Sequence, residues 1–206
     1  MSRPAFLKQI REMIDTAKPG TVFIPKDFAG ITDAAKISVS LNRLKDNGEL
    51  TCLGRGLFMK PRFSTLLNKS VPPRADDVAK ALARKYGWTI IPCGDTAMNA
   101  LGLSTQVPAV WAYVSDGPYR DYEMDGVKLR FKHTDKNSEI TGLSYETALV
   151  IQAIKALGKD DIAPQNLRKL AGKLNRKTKD QMLIEAQQAT AWVYECIKRI
   201  CAEESK

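Results

Sequence analysis

The chain has a single histidine, four scattered cysteines and no uninterrupted run of 18 apolar residues. Each shortage excludes something. A membrane helix needs about 20 mostly apolar residues, so no segment reads as a span. The opening MSRPAFLKQIREMI lacks the apolar core and small-residue cleavage site of a signal peptide, and a cytoplasmic protein is expected. Cys52, Cys93, Cys196 and Cys201 form no CxxC pair. A chain of 206 residues can build its core without bridges, so reduced thiols are expected. His133 stands alone, with no cysteine pair near it in sequence to complete a metal site. A Ser-His-Asp triad would have to use that same residue, and no G-x-S-x-G elbow is present. Walker A and G-x-G-x-x-G patterns are missing as well. No cofactor and no metal are expected.

What is present is positive charge. Lys and Arg number 32 against 23 Asp and Glu, a net of +9 with a pI near 9.4. Such an excess favours a polyanion as partner, because neutralising phosphates releases counterions. Through residue 73 there are 12 basic and 6 acidic side chains, a net of +6, leaving +3 for the remainder. The density of charge therefore points at the N-terminal third.

That third has the most readable pattern. Phe6, Leu7, Ile10, Met13 and Ile14 recur on one face of a helix over 4–17, with Pro4 tolerated in its first turn. Lys18-Pro19-Gly20 ends it, Thr21 to Ile24 is extended, and Lys26 to Ala29 forms a brief second helix. A third helix over 33–46 takes Thr32 as N-cap and buries Ala34, Ile37, Leu41 and Leu44. The opposite face is assigned to Lys36, Ser40, Arg43 and Asn47. Asn47-Gly48 closes that helix. Glu49 to Leu53 and Gly56 to Lys60 then pair as a hairpin with Arg55 at the tip, where flanking glycines permit positive φ. Helix, helix and basic hairpin in this order predict a winged helix-turn-helix, which lays one helix in a major groove. A polar helix face is most often merely solvated; the adjacent turn and hairpin favour the DNA reading.

Residues 61–75, with Pro61, Pro72 and Pro73, read as a linker, and the domain boundary is drawn near Val71-Pro72. A second domain over 72–206 follows: a helix from Asp76 to Tyr86, strands at Trp88–Cys93 and Ala109–Ser115, and a hairpin of Arg120–Met124 and Val127–His133 about Asp125-Gly126. Helices are expected at 144–157, 164–174 and roughly 179–203. The whole is α+β: an N-terminal winged helix-turn-helix (1–71) followed by a mixed sheet-and-helix domain. Two further groups stand out. Arg168, Lys169, Lys173, Arg176, Lys177 and Lys179 lie in one stretch without an acid between Asp161 and Asp180, a possible second polyanion surface against the ordinary reading of a solvated face. Asp121 and Glu123 share one face of a strand, as the carboxylates of a Mg-dependent nucleotidyltransferase would; exposed hairpin charges are the default explanation.

The segment Asp95-Thr-Ala-Met-Asn-Ala-Leu-Gly-Leu-Ser-Thr-Gln-Val-Pro108, the strand Val-Trp-Ala-Tyr-Val after it and the hairpin ending Gly126-Val-Lys-Leu-Arg-Phe131 resemble the AbiEi-type antitoxins of bacterial abortive-infection systems. The resemblance covers nearly the whole chain. It implies a non-enzymatic protein that represses its own operon by binding inverted repeats in double-stranded DNA. It also implies neutralisation of a co-encoded nucleotidyltransferase toxin, in the type IV manner that needs no stable complex. Carried over by position, the DNA-reading residues are Thr32, Lys36, Ser40 and Arg43 on the recognition helix and Arg55 on the wing. Two alternatives are a nucleotidyltransferase-like enzyme using Asp121 and Glu123, and a winged module that binds protein rather than DNA.

Overall fold

A computed structural model describes residues 5–66, 68–135 and 140–203; Pro4 lies outside them. The chain divides into two compact units. One holds residues 1–88 with 122–128, the other residues 89–121 with 129–206. Helices and several small sheets mix in both, so the architecture is α+β.

In the first unit, α1 (Ala5–Thr16) buries Leu7, Ile10 and Ile14. Its carbonyl end is closed by Lys60, whose Nζ donates to the Asp15 and Ala17 carbonyls at 2.8 and 3.0 Å, satisfying groups the helix leaves unpaired. β1 (Val22–Phe23) leads into a 3-10 turn over Pro25–Phe28. There the Asp27 carboxylate accepts from the Ile24 N–H at 2.9 Å.

α2 (Ala34–Asp46) starts at Asp33, not at the expected Thr32. The Asp33 carboxylate accepts the Lys36 N–H at 2.9 Å, the N-cap bond that a shorter, half-buried Thr32 one residue earlier does not make. The helix ends at Asn47, and Gly48 takes φ +77°, where glycine is unstrained. β2 (Thr51–Gly54) and β3 (Leu57–Met59) form the hairpin, with Arg55 and Gly56 at its turn. Gly56 has φ +70°. β1 joins on the far side of β3, giving an antiparallel sheet ordered β1-β3-β2. Leu7, Ile10, Ile14, Phe23, Phe28, Ile37, Leu41, Leu44, Leu50 and Phe58 close into one core. Arg11 forks onto Glu49 at 2.6 and 2.7 Å, pinning α1 to the turn after α2 with the bidentate geometry that makes such pairs strong.

The expected linker is not featureless. Phe63–Ser64 (β4) and Lys69–Ser70 (β5) pair as a small hairpin. The next helix, α3 (Ala75–Tyr86), groups with the first unit. Arg84 shows why: it donates to Asp27 at 3.1 Å and to the Val22 carbonyl at 3.0 Å. The compact unit thus runs through Trp88 rather than stopping near Val71-Pro72.

A four-stranded sheet ordered β6-β7-β9-β8 is built from β6 (Ile90–Pro92), β7 (Trp111–Ser115), β8 (Arg120–Met124) and β9 (Val127–His133), its residues 122–128 grouping with the first unit and the rest with the second. β7 and β9 run parallel because β9 returns between β7 and β8. Tyr113 and Phe131 stack at 5.8 Å on the buried side. α4 (Asp95–Ala100) and α5 (Tyr145–Leu157) follow, then α6 (Pro164–Ala171). The long final helix expected over 179–203 is instead two: α7 (Arg176–Glu185) and α8 (Ala191–Ala202). A 3-10 turn (186–188) and extended Ala189 lie between them. The break lets α7 and α8 fold against each other and bury Met182, Val193, Ile197 and Ile200 in one cluster with α5 and α6. Continuous apolar periodicity across 182–200 hides that break in the sequence, because both pieces face the same core.

Candidate nucleic-acid interface

Helical geometry decides which side of α2 is available. Ile37, Ser40, Leu41 and Leu44 face inward, so with about 100° per residue the solvent face centres on Ala35, Val39, Asn42 and Asp46. Ser38 stands on one flank, and Lys36 and Arg43 on the other. Ser40, expected among the DNA-reading residues, is therefore a core position, only 3 % exposed. Its hydroxyl donates to the Lys36 carbonyl at 2.8 Å. A small hydroxyl residue can turn its polar atom back onto its own helix and pass as apolar; that is why the inward stripe is wider than the aliphatic residues suggest. Ser40→Ala is expected to leave any nucleic-acid affinity unchanged within twofold, measured by fluorescence anisotropy.

Of the other expected residues, Thr32 is half-buried and precedes the cap of α2, while Lys36, Arg43 and Arg55 separate into two rims. Lys36 is exposed, but its ammonium pairs with Asp33 at 2.7 Å, which also holds the Asp33 carboxyl below its ordinary pKa. Arg43 is exposed and makes no ion pair among the described residues. Arg55 occupies the hairpin tip, likewise exposed. Between that hairpin and α2 lies a cleft of about 660 Å³ lined by Lys26, Ser38, Asn42, Cys52, Arg55 and Lys85, among others. The Lys85 ammonium donates to the Arg55 carbonyl at 2.5 Å and so fixes the hairpin backbone while adding charge beside it. Lys26, Ser38, Asn42 and Lys85 are absent from the residues expected from sequence. Lys85 reaches the cleft from α3, 30 residues past the hairpin; for Ser38 and Asn42 the signal was present in the i, i+4 spacing, and was masked by counting Ser40 as outward.

Outside this face the charged groups are less free. In the basic stretch of the second unit, Arg168, Lys169, Lys173, Arg176 and Lys177 are exposed, as expected. Lys179 is not: it is 6 % exposed and its Nζ donates to the Glu203 carbonyl at 2.7 Å, so it leaves the surface set. Asp121 is forked by Arg130 at 2.8 to 3.2 Å, whose hydrogen bonds hold the carboxyl below its usual range. Glu123 lies 3.9 Å from Lys128. Each of the two carboxylates thus has a cationic neighbour in this structure. Among the described residues no three His, Cys, Asp or Glu side chains gather as a ligand set. His133 bonds the Gly117 carbonyl and the Asp135 carboxylate, both at 2.8 Å, and these two acceptors raise its pKa by favouring the imidazolium. All four cysteines are unbridged. No helix among the described residues is long and apolar enough to cross a membrane.

These features define an α+β protein with one exposed helix face set between cationic rims. The chain belongs to the family of unknown function DUF6088, whose profile matches residues 9–183. No curated protein matches it. Among solved structures it is similar to the RV2827C protein from Mycobacterium tuberculosis, with 12% identity, 97% of this chain and 77% of that chain covered, and a TM-score of 0.42.

Proposed function

We propose that the N-terminal unit is a winged helix-turn-helix and that the chain is a DNA-binding repressor. α2 is the recognition helix and the β2–β3 hairpin is the wing. The observation that carries this reading is the placement of Arg43 and Arg55 on opposite sides of one uncovered helix face, with Lys26 and Lys85 along the cleft. A duplex presents phosphates on both sides of its major groove, so cations on two rims with short side chains between them match it. Lys26, Lys36, Arg43, Arg55 and Lys85 together neutralise up to about five phosphates, which sets a slope of log affinity against log salt of up to about −4.5. The test is anisotropy with duplexes tiling the region upstream of the chain's own reading frame, at several salt concentrations. Steep loss of affinity on raising salt supports the reading; salt-insensitive binding, or none to any duplex, overturns it.

The same proposal extends to the partner. The 95–131 block and its likeness to AbiEi-type antitoxins support a role opposing a nucleotidyltransferase toxin encoded beside it, with operon repression by the N-terminal unit and neutralisation by the second. Where the neighbouring reading frame encodes a nucleotidyltransferase that arrests growth, co-expression of this chain is expected to restore growth. Growth arrest that persists despite full expression of this chain rejects the antitoxin half and leaves the repressor half standing.

A further inference from the structure

The base preference of α2 follows from what its outward face contains, and rests on the DNA-binding reading above. Over the first two turns the helix presents Ala35, Ser38, Val39 and Asn42, spaced i, i+3, i+4 and i+7, all exposed. These span roughly 10 Å of helix axis, about three base-pair steps. The N-terminal turns of a recognition helix are the part that reaches base edges. Val39 is the anomaly: an aliphatic side chain left 69 % exposed at the middle of that face, with Ala35 one turn before it. In the major groove the one apolar group on a base edge is the thymine C5-methyl.

The polar groups present and absent agree. Guanine is read by Arg or Lys on its O6 and N7, and cytosine by Asp or Glu on its N4 amino group. The only cation in these two turns, Lys36, is held by Asp33 at 2.7 Å. Asp33 in turn accepts the Lys36 N–H as the helix cap. Arg43 comes a turn later, on the rim. Asn42 is the side chain suited to adenine, accepting from N6 and donating to N7. Its Nδ2 now donates to the Ser38 carbonyl at 2.9 Å, so rotation of the amide exchanges an intrahelical bond for one to the base.

We infer that α2 reads adjacent A·T pairs, with Val39 and Ala35 against thymine methyls and Asn42 on adenine. The experiment replaces thymine by uracil throughout the bound duplex, which deletes the C5-methyls and leaves every base-pairing group in place. Wild-type affinity is expected to fall several-fold. Val39→Ser, at an exposed position where folding is not at stake, is expected to bind the thymine duplex several-fold more weakly and to lose most of the thymine–uracil difference. Asn42→Ala is expected to reduce discrimination at one A·T pair by about tenfold. Equal binding of thymine and uracil duplexes by the wild type, with the steep salt dependence intact, overturns this inference alone. Absence of salt-dependent duplex binding overturns the repressor reading instead.

Discussion

Arg43→Ala combined with Arg55→Ala is expected to weaken duplex binding by at least tenfold and to reduce the salt slope by about two, one for each lost phosphate contact. Both guanidinia are exposed and free of ion pairs among the described residues, so their removal costs little folding energy. They sit on opposite rims of the α2 face, which makes the double variant a test of the two-sided geometry. Losses that multiply when the single variants are combined fit two independent contacts more than about 7 Å apart. A gel shift with unchanged affinity for the double variant would sink the interface. Lys36→Ala alone is expected to act more weakly, because Asp33 already partly neutralises that ammonium.

A second large effect concerns stability. Burial by itself would raise the Glu185 pKa, but hydrogen bonds from Thr147, from the Ser144 hydroxyl and N–H, and from Gln181 outweigh it and hold the carboxyl at about 2. The Ser144 contacts are 2.7 and 3.0 Å and the Gln181 contact 2.7 Å. Through them the end of α7 is tied to the N-terminal cap of α5. In the unfolded chain this carboxyl returns to its ordinary value near 4.5. The stabilisation is therefore complete above that value and lost as pH falls towards 2. Glu185→Gln is expected to lower stability by about 2 kcal/mol at neutral pH, read as a lower urea midpoint with unchanged m-value. The gap between variant and wild type should close as the solution is acidified. Equal midpoints at neutral pH, or a gap that persists below pH of about 2, would contradict this role.

Much of the fold is legible locally. Proline and glycine positions mark nearly every element end in the first unit, and Asp125-Gly126 marks the β8–β9 hairpin, where both residues take positive φ. Periodicity finds α1 and α5 because their buried positions, such as Ile10 and Ile154, are aliphatic. It fails where the same signal supports two outcomes. Ser40 looks polar and is buried; Lys179 looks like part of a basic surface and is spent on a backbone carbonyl. The apolar stripe through Met182 and Ile200 cannot distinguish one long helix from two that share a core.

Charge density, the α+β mixture and the succession of helices and hairpin in the first 60 residues were set by composition and spacing, since these depend on steric and hydrophobic preferences acting over a few residues. Which side of α2 faces water, and which cations gather beside it, needed the folded chain. Lys26, Asn42, Arg55 and Lys85 come from four different elements, and only packing of the core brings side chains so far apart in sequence to one cleft.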